Sequence, residues 1–176
     1  MKRLIWLIPA VFVLFISSAQ AQETPQWEIN GGVSYLDGNI NGSHFHLYGG
    51  GGSLTENMNS WFGGRMEFNV YHGTDAGNTV SAQTVTYGPV FSYRRSARFT
   101  PYAHVQLGAI HASAGYLGIS QSAFKFAMAP GVGVDVALTR KASLRLDGEY
   151  LITRFLGLTQ ENLNVSVGMV FRFGKK

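Results

Sequence analysis

The sequence predicts an all-β protein: an eight-stranded antiparallel up-and-down β-barrel that spans a membrane. Three observations carry this. Beyond residue 22, apolar residues recur with period 2 in segment after segment, and no stretch holds a helical period of 3.6. The connections alternate in character, as a barrel with two unlike ends requires. Charged residues make up only 14% of the chain, and within the segments they fall on the face opposite the apolar one.

The chain opens as an exported protein. Met1, Lys2 and Arg3 give a positive start, residues 4–16 form an apolar run, and Ala19-Gln20-Ala21 offers small residues for cleavage, which is the layout of a secretory signal. The run is too short for a membrane helix, which takes ~20 residues. We expect residues 1–21 to be a cleaved signal, recognised at Ala19 and Ala21, and residues 22–176 to form one barrel domain. No Cys follows the run, which excludes lipoprotein processing. Formal charge falls from +4 to +2 once Lys2 and Arg3 leave, so no nucleic-acid partner is implied. Small exported domains often draw stability from disulfides; without Cys, closure in lipid must supply it.

The strands follow in order. In the first, Trp27, Ile29, Val33 and Tyr35 oppose Glu28, Asn30 and Ser34. The second, about residues 44–55, loses its pattern at Gly49 to Gly52, which permit a bulge or a register slip. The third sets Phe62, Met66, Phe68 and Val70 against Arg65, Glu67 and Asn69, and the fourth sets Val85, Tyr87, Phe91 and Tyr93 against Thr84, Thr86 and Ser92. In the fifth, Ala103, Val105, Leu107 and Ala109 oppose His104, Gln106 and Gly108. The sixth, residues 124–138, has apolar even positions and small or charged odd ones, among them Lys125 and Asp135. Pro130 cannot donate to a ladder, which predicts a bulge or a position beyond the membrane. The seventh sets Leu144, Leu146, Tyr150 and Ile152 against Arg145, Asp147 and Glu149. The eighth alternates cleanly from Leu163 to Phe173.

Short polar connections at residues 56–60, 94–98 and 139–142 suit periplasmic turns, and Arg94, Arg95 and Arg98 read as a solvated one. Connections at 37–43, 72–82, 113–121 and 156–162 are longer and rich in Gly, Asn, Ser and Thr, which suits the outer surface.

Charge placement separates a membrane barrel from a soluble one. The face opposite the apolar residues carries Glu28, Glu67, Asp135, Asp147 and Glu149 with Arg65, Lys125, Arg145 and Arg172, a nearly balanced set that can pair across a narrow interior. Arg145, Asp147 and Glu149 point the same way at i, i+2 and i+4, which allows an ion-pair ladder across that interior. Aromatics gather near strand ends (Trp27, Tyr35, Trp61, Phe91, Tyr93, Phe155, Phe171 and Phe173) as membrane-interface girdles do. A soluble periplasmic barrel would need a strongly charged exterior that this chain lacks.

These residues resemble the OmpA/OmpX-type outer-membrane β-barrel domains over residues 27–173. Ser166, Gly168, Phe171 and Phe173 resemble the C-terminal signal read by the barrel assembly machinery, although the chain continues with Gly174, Lys175 and Lys176. The blocks at residues 88–95, 100–114 and 131–155 are similar to small barrels common in acidobacterial genomes. The resemblance implies an outer-membrane location, contact with lipid and lipopolysaccharide, and a monomer inserted by the assembly machinery. OmpA's peptidoglycan-binding domain has no counterpart in this sequence.

Other motifs weigh less. His111-Ala112-Ser113 is similar to the His-x-Ser-Asn of lipid A deacylase barrels, but Ala114 stands in place of Asn and Glu149 falls on the inward face, so the main reading is not an enzyme. His44 and His46 share a face without a third ligand spaced to join them, so neither a metal site nor any cofactor is expected. Arg154 reads as an outward side chain snorkelling to head groups. Gly49 to Gly52 lack the Lys and helix of a phosphate loop. The expected function is structural or surface-interacting, in a barrel filled by a charged network; a narrow, low-conductance porin-like channel is the alternative, followed by a lipid A-modifying hydrolase.

Overall fold

The computed structural model describes residues 24–40, 43–75, 78–116, 119–155 and 158–175; the expected signal, with Ala19 and Ala21, lies outside them. Eight strands follow one another: β1 (Pro25–Ile40), β2 (Ser43–Asn57), β3 (Phe62–Asp75), β4 (Asn78–Ser92), β5 (Phe99–Tyr116), β6 (Ile119–Ala137), β7 (Ala142–Phe155) and β8 (Leu158–Lys175). Each pairs antiparallel with its sequence neighbours, and β1 closes on β8. No edge strand remains, which is the condition for β structure in hydrocarbon.

Side-chain direction follows the alternation. Val33, Phe126 and Val132 are 68%, 63% and 65% exposed, whereas Glu28, Arg65, Asp135 and Arg145 are at most 3% exposed. A water-facing wall would reverse this, so the soluble-barrel reading is rejected. Trp61, Phe91, Tyr93, Phe171 and Phe173 form an exposed aromatic belt near the chain termini, and Tyr48 and Tyr150 are exposed toward the other end. The side chain of Phe155 lies outside the described residues.

Three expectations are corrected. The glycine run in β2 causes neither slip nor bulge: pairing with β1 runs unbroken from Trp27↔Glu56 to Ile40↔Ser43, because the strands on both sides have their own apolar alternation to hold register. Pro130 lies in the body of β6, opposite Val105 of β5. Toward β7 the ladder lapses beside it, yet the register is the same before (Met128↔Ile152) and after (Gly131↔Glu149). The missing N–H is absorbed without an inserted residue. Pro89 does the same between β4 and β5, where Tyr87↔Leu107 and Val90↔His104 flank the lapse.

The third correction concerns the connections. The strands run on to Ile40 and Ser43, Asp75 and Asn78, Tyr116 and Ile119, and Phe155 and Leu158, so the segments read as long outer loops are largely strand. The turns at the end bearing the chain termini, residues 58–61, 93–98 and 138–141, are the longer ones. We refer to these ends as the hairpin end and the terminal end. A tilted strand crosses the membrane in ~9–11 residues. β5 has 18 residues and β6 has 19, so this hairpin projects well beyond the hydrocarbon.

The interior has two layers. Toward the hairpin end, Leu36, Leu47, Tyr71, Ala82, Ile110, Ala127, Ala129 and Leu151 pack as a buried apolar cluster. Below it, toward the termini, the lumen is polar and charged. The expected charged filling therefore occupies only part of the interior.

The lipid-facing assignment has a direct test. Val167 is outward in β8, paired with Val33 of β1 and Leu146 of β7, far from either belt. Val167→Arg is expected to lower unfolding free energy by about 2–4 kcal/mol, the cost of a cation on the lipid face near the midplane, measured by urea titration in lipid vesicles. An unchanged midpoint would place this face in water.

Candidate functional site

The polar lumen is built from inward positions of all eight strands, and its lowest part is an arginine-rich floor. Arg145 of β7 lies opposite Asp135 of β6 in register. Its Nε and Nη2 donate to the two Asp135 oxygens at 2.7 and 2.8 Å, and Nη2 also donates to Glu28 Oε2 at 3.0 Å. Arg172 of β8 donates to Asp135 Oδ2 at 3.3 Å and lies 3.7 Å from Glu28 Oε1. Two carboxylates and their guanidinium partners thus neutralise one another away from water, which buried charges require.

Arg94 belongs to this floor. It comes from the β4–β5 turn, yet it is buried and donates to Glu28 Oε1 at 2.9 Å and to Asn57 Oδ1 at 3.0 Å. Asn57 in turn donates to the Pro25 carbonyl at 2.9 Å. The reading of Arg94 as solvated is wrong, because Glu28 is held close to the opening and a long side chain can turn inward to reach it. Arg95 and Arg98 are exposed as expected, Arg95 lying 5.6 Å from the Tyr93 ring centre.

Above the floor the balance of charge reverses. Asp147 of β7 accepts from the Tyr102 hydroxyl, lies 3.2 Å from His104 Nε2, and pairs with Arg65 Nη1 at 3.7 Å. Arg65 Nε donates to Thr55 Oγ1 at 3.3 Å. The Tyr102 ring carries the Arg65 and Arg145 guanidinium carbons 4.7 and 4.9 Å from its centre, so its π face joins the two layers. Glu149 accepts from Asn164 at 2.8 Å and Glu67 from Asn69 at 2.8 Å. Neither glutamate forms an ion pair with a described residue. A cavity of about 20 Å³ lies beside Glu67, lined also by Asn30, Arg65, Asn69, Arg145 and Asp147 among others, room for about one water.

The ladder expected across the interior forms for two of its three members: Arg145 pairs with Asp135 and Glu28, and Asp147 with Arg65, while Glu149 forms no ion pair with a described residue. Arg145 pairs across rather than along the strand to Asp147 and Glu149, because residues two apart on a strand are ~6.6 Å apart whereas directly opposed ones meet. Lys125, half-buried near the apolar layer, forms no ion pair with a described residue and stands apart from the network. The remaining expected members, Glu28, Arg65, Glu67, Asp135, Arg145, Asp147, Glu149 and Arg172, do line one lumen. The sequence reading missed Arg94, Tyr102, Asn57 and the role of His104. Only the inward parity of His104 signalled it.

Glycines decide which side chains meet. β5 and β7 are separated by β6, yet His104 and Glu149 come together because the residue between them in register is Gly131. A Cβ on Gly131 would lie 2.5 Å from His104 Nε2 and 2.8 Å from Glu149 Cβ. Gly133 likewise sits between Tyr102 and Asp147. Without these two gaps the pairs could not approach across β6.

The outer-face motifs assemble no machinery among the described residues. Ser113 Oγ lies 2.7 Å from Ser81 Oγ, and the His111 ring packs on Phe124 with centres 4.4 Å apart. Glu149 is buried inside the barrel, so it does not join His111 and Ser113 in a Ser–His–Glu arrangement. His46 Nδ1 lies 2.7 Å from the Tyr35 hydroxyl and 3.4 Å from Asp37 Oδ1; the side chains of His44 and Arg154 lie outside the described residues. Ser166 and Gly168 face the lumen side of β8, while Phe171 and Phe173 are exposed on the lipid side.

Comparison with known proteins places this architecture. A sequence profile of the outer membrane protein beta-barrel domain matches residues 7–171. Among solved structures, Neisserial surface protein A superposes with a TM-score of 0.75 at 12% identity, covering 84% of this chain and 97% of that one. Ail, the attachment invasion locus protein of Yersinia pestis, gives 0.58 at 19% identity, covering 84% and 99%. OprG from Pseudomonas aeruginosa gives 0.58 at 12% identity, covering 89% and 99%. At such identities the likeness is one of fold. A search of curated proteins finds no match. With the profile spanning nearly the whole closed barrel, its lipid-facing apolar wall and its paired interior, the chain belongs to the outer membrane protein beta-barrel domain family and is an integral protein of the bacterial outer membrane.

Proposed function

We propose that this barrel is a plugged, non-enzymatic scaffold that acts through the surface it projects from the membrane. The observation that carries this is the double closure of its interior. An ion crossing the lumen would first meet the arginine floor and then the packed cluster around Leu36, Leu47, Ile110 and Leu151, whose aliphatic side chains do not replace a hydration shell. Eight strands leave an interior only wide enough for side chains. The porin-like reading would require both layers to rearrange.

The surface role rests on the surplus length of β5 and β6 beyond what the membrane needs. Several described positions of that hairpin are polar or small, including Ser113 and the glycine at 115. Ail, a barrel of similar fold, is named for attachment and invasion and was solved with the heparin analogue sucrose octasulfate, which supports an outward-facing role for projecting strands on such a scaffold. The terminal end is assigned to the periplasm, where Arg95, Arg98, Arg140 and Lys141 emerge beside the aromatic belt. Outer-membrane lipid and lipopolysaccharide are the proposed partners of the wall. The assembly machinery is the proposed partner during insertion, reading Ser166, Gly168, Phe171 and Phe173, and the mature barrel is proposed to be a monomer.

Two measurements test the plug. Refolded residues 22–176 in planar bilayers are expected to show no conductance steps; reproducible small steps would make the protein a narrow pore. Arg145→Leu leaves Asp135 and Glu28 short of their main partner and is expected to cost about 3 kcal/mol in a urea titration, the lower end for breaking a buried pair. An unchanged midpoint would mean that the floor is hydrated.

A further inference from the structure

We propose that His104, Asp147 and Glu149 form a binding site for a divalent transition-metal cation of the Zn²⁺ class inside the barrel. One nitrogen and two carboxylate oxygens from these residues lie within 4.8 Å of one another; ligands at ~2.0–2.2 Å from one tetrahedral metal lie ~3.3–3.6 Å apart, so small side-chain rotations bring the three around one ion. Imidazole with carboxylate suits Zn²⁺ and its neighbours, whereas Ca²⁺ and Mg²⁺ favour all-oxygen sets.

Four further features of the lumen favour a cation here. The layer holding the cluster contains Glu67, Asp147 and Glu149 against one guanidinium, Arg65, and buried carboxylates in such excess gain from a positive charge. The carboxylates are held from behind, as metal ligands generally are. Tyr102 and Arg65 both engage Asp147 Oδ2, leaving Oδ1 toward His104, and Asn164 holds Glu149 Oε1. Gly131 keeps the space between His104 and Glu149 clear of any side chain. A cavity lined by Glu67 and Asp147 adjoins the cluster on its Asp147 side and has room for about one water. The site needs none of the surface histidines and is separate from the arginine floor.

The test uses the untagged mature chain refolded in detergent, with Co²⁺ as an optical probe displaced by Zn²⁺. The expected result is one saturable equivalent of Co²⁺, displaced by Zn²⁺ and not by Ca²⁺. His104→Gln and Glu149→Gln are each expected to weaken it at least 100-fold, since loss of an outer partner alone costs roughly 10–100-fold. His111→Ala, on the outer face, should leave it unchanged. Absence of saturable uptake by the wild-type chain overturns the proposal, and so does binding that survives both lumen variants. Heat-modifiable gel migration shows whether each variant folds. Should either fail, X-ray absorption of the Zn²⁺-loaded wild type decides: a single imidazole among oxygen ligands supports the lumen site, and two or more imidazoles assign the metal to the outer histidines and overturn it.

Discussion

The pairing of β1 with β8, from Trp27↔Phe173 to Asp37↔Leu163, is the contact that turns eight hairpin-linked strands into a membrane protein. Left open, two rows of backbone donors and acceptors would face hydrocarbon at several kcal/mol for each unmet group. Closure removes both rows and encloses a bore so narrow that inward side chains from opposite walls must touch. The ion pairs follow from that enclosure. Arg145 reaches Glu28 across 117 positions of sequence because the two strands lie on either side of the closing seam strand β8.

Inside so small a bore, the distribution of side-chain volume is as consequential as charge. β6 carries Gly131 and Gly133 where β5 and β7 carry large groups, and the result is lateral contact between strands that are not neighbours in the sheet. Near the hairpin end the same economy works differently, with Ala82, Ala127 and Ala129 set among Leu36, Leu47, Tyr71 and Leu151. Large and small residues alternate around the bore and fill it. The boundary between the apolar and polar layers falls near Tyr71 and Glu149, and it separates a region stabilised by burial in the ordinary sense from one stabilised only while its charges stay paired.

The two layers also bear on what the protein does for the cell envelope. A bore filled by side chains leaves the projecting hairpins as the reachable surface, the β5–β6 hairpin being the longest of them.

Strand number, inward and outward faces and membrane location were legible in the sequence because alternation is a local property: Leu163 to Phe173 and residues 144–152 announce their two faces whatever they pair with. The inward charged set was legible for the same reason. Which charge meets which was not, since Arg145 with Asp135 depends on the β6–β7 register, and Arg94 with Glu28 depends on a turn residue bending into a bore that only closure creates. The apolar layer was hidden because Leu36, Leu47 and Leu151 sit on the nominally polar faces of their strands. The meeting of His104 with Glu149 through the gap at Gly131 was hidden too, since a glycine's effect lies in what its neighbours can reach. The sequence alone therefore determined the class, the faces and the compartment, which local periodicity and composition encode. The tertiary structure decided the pairing, the two-layered filling of the bore and the meeting of His104 with Asp147 and Glu149, because these arise from side chains brought together across a closed ring.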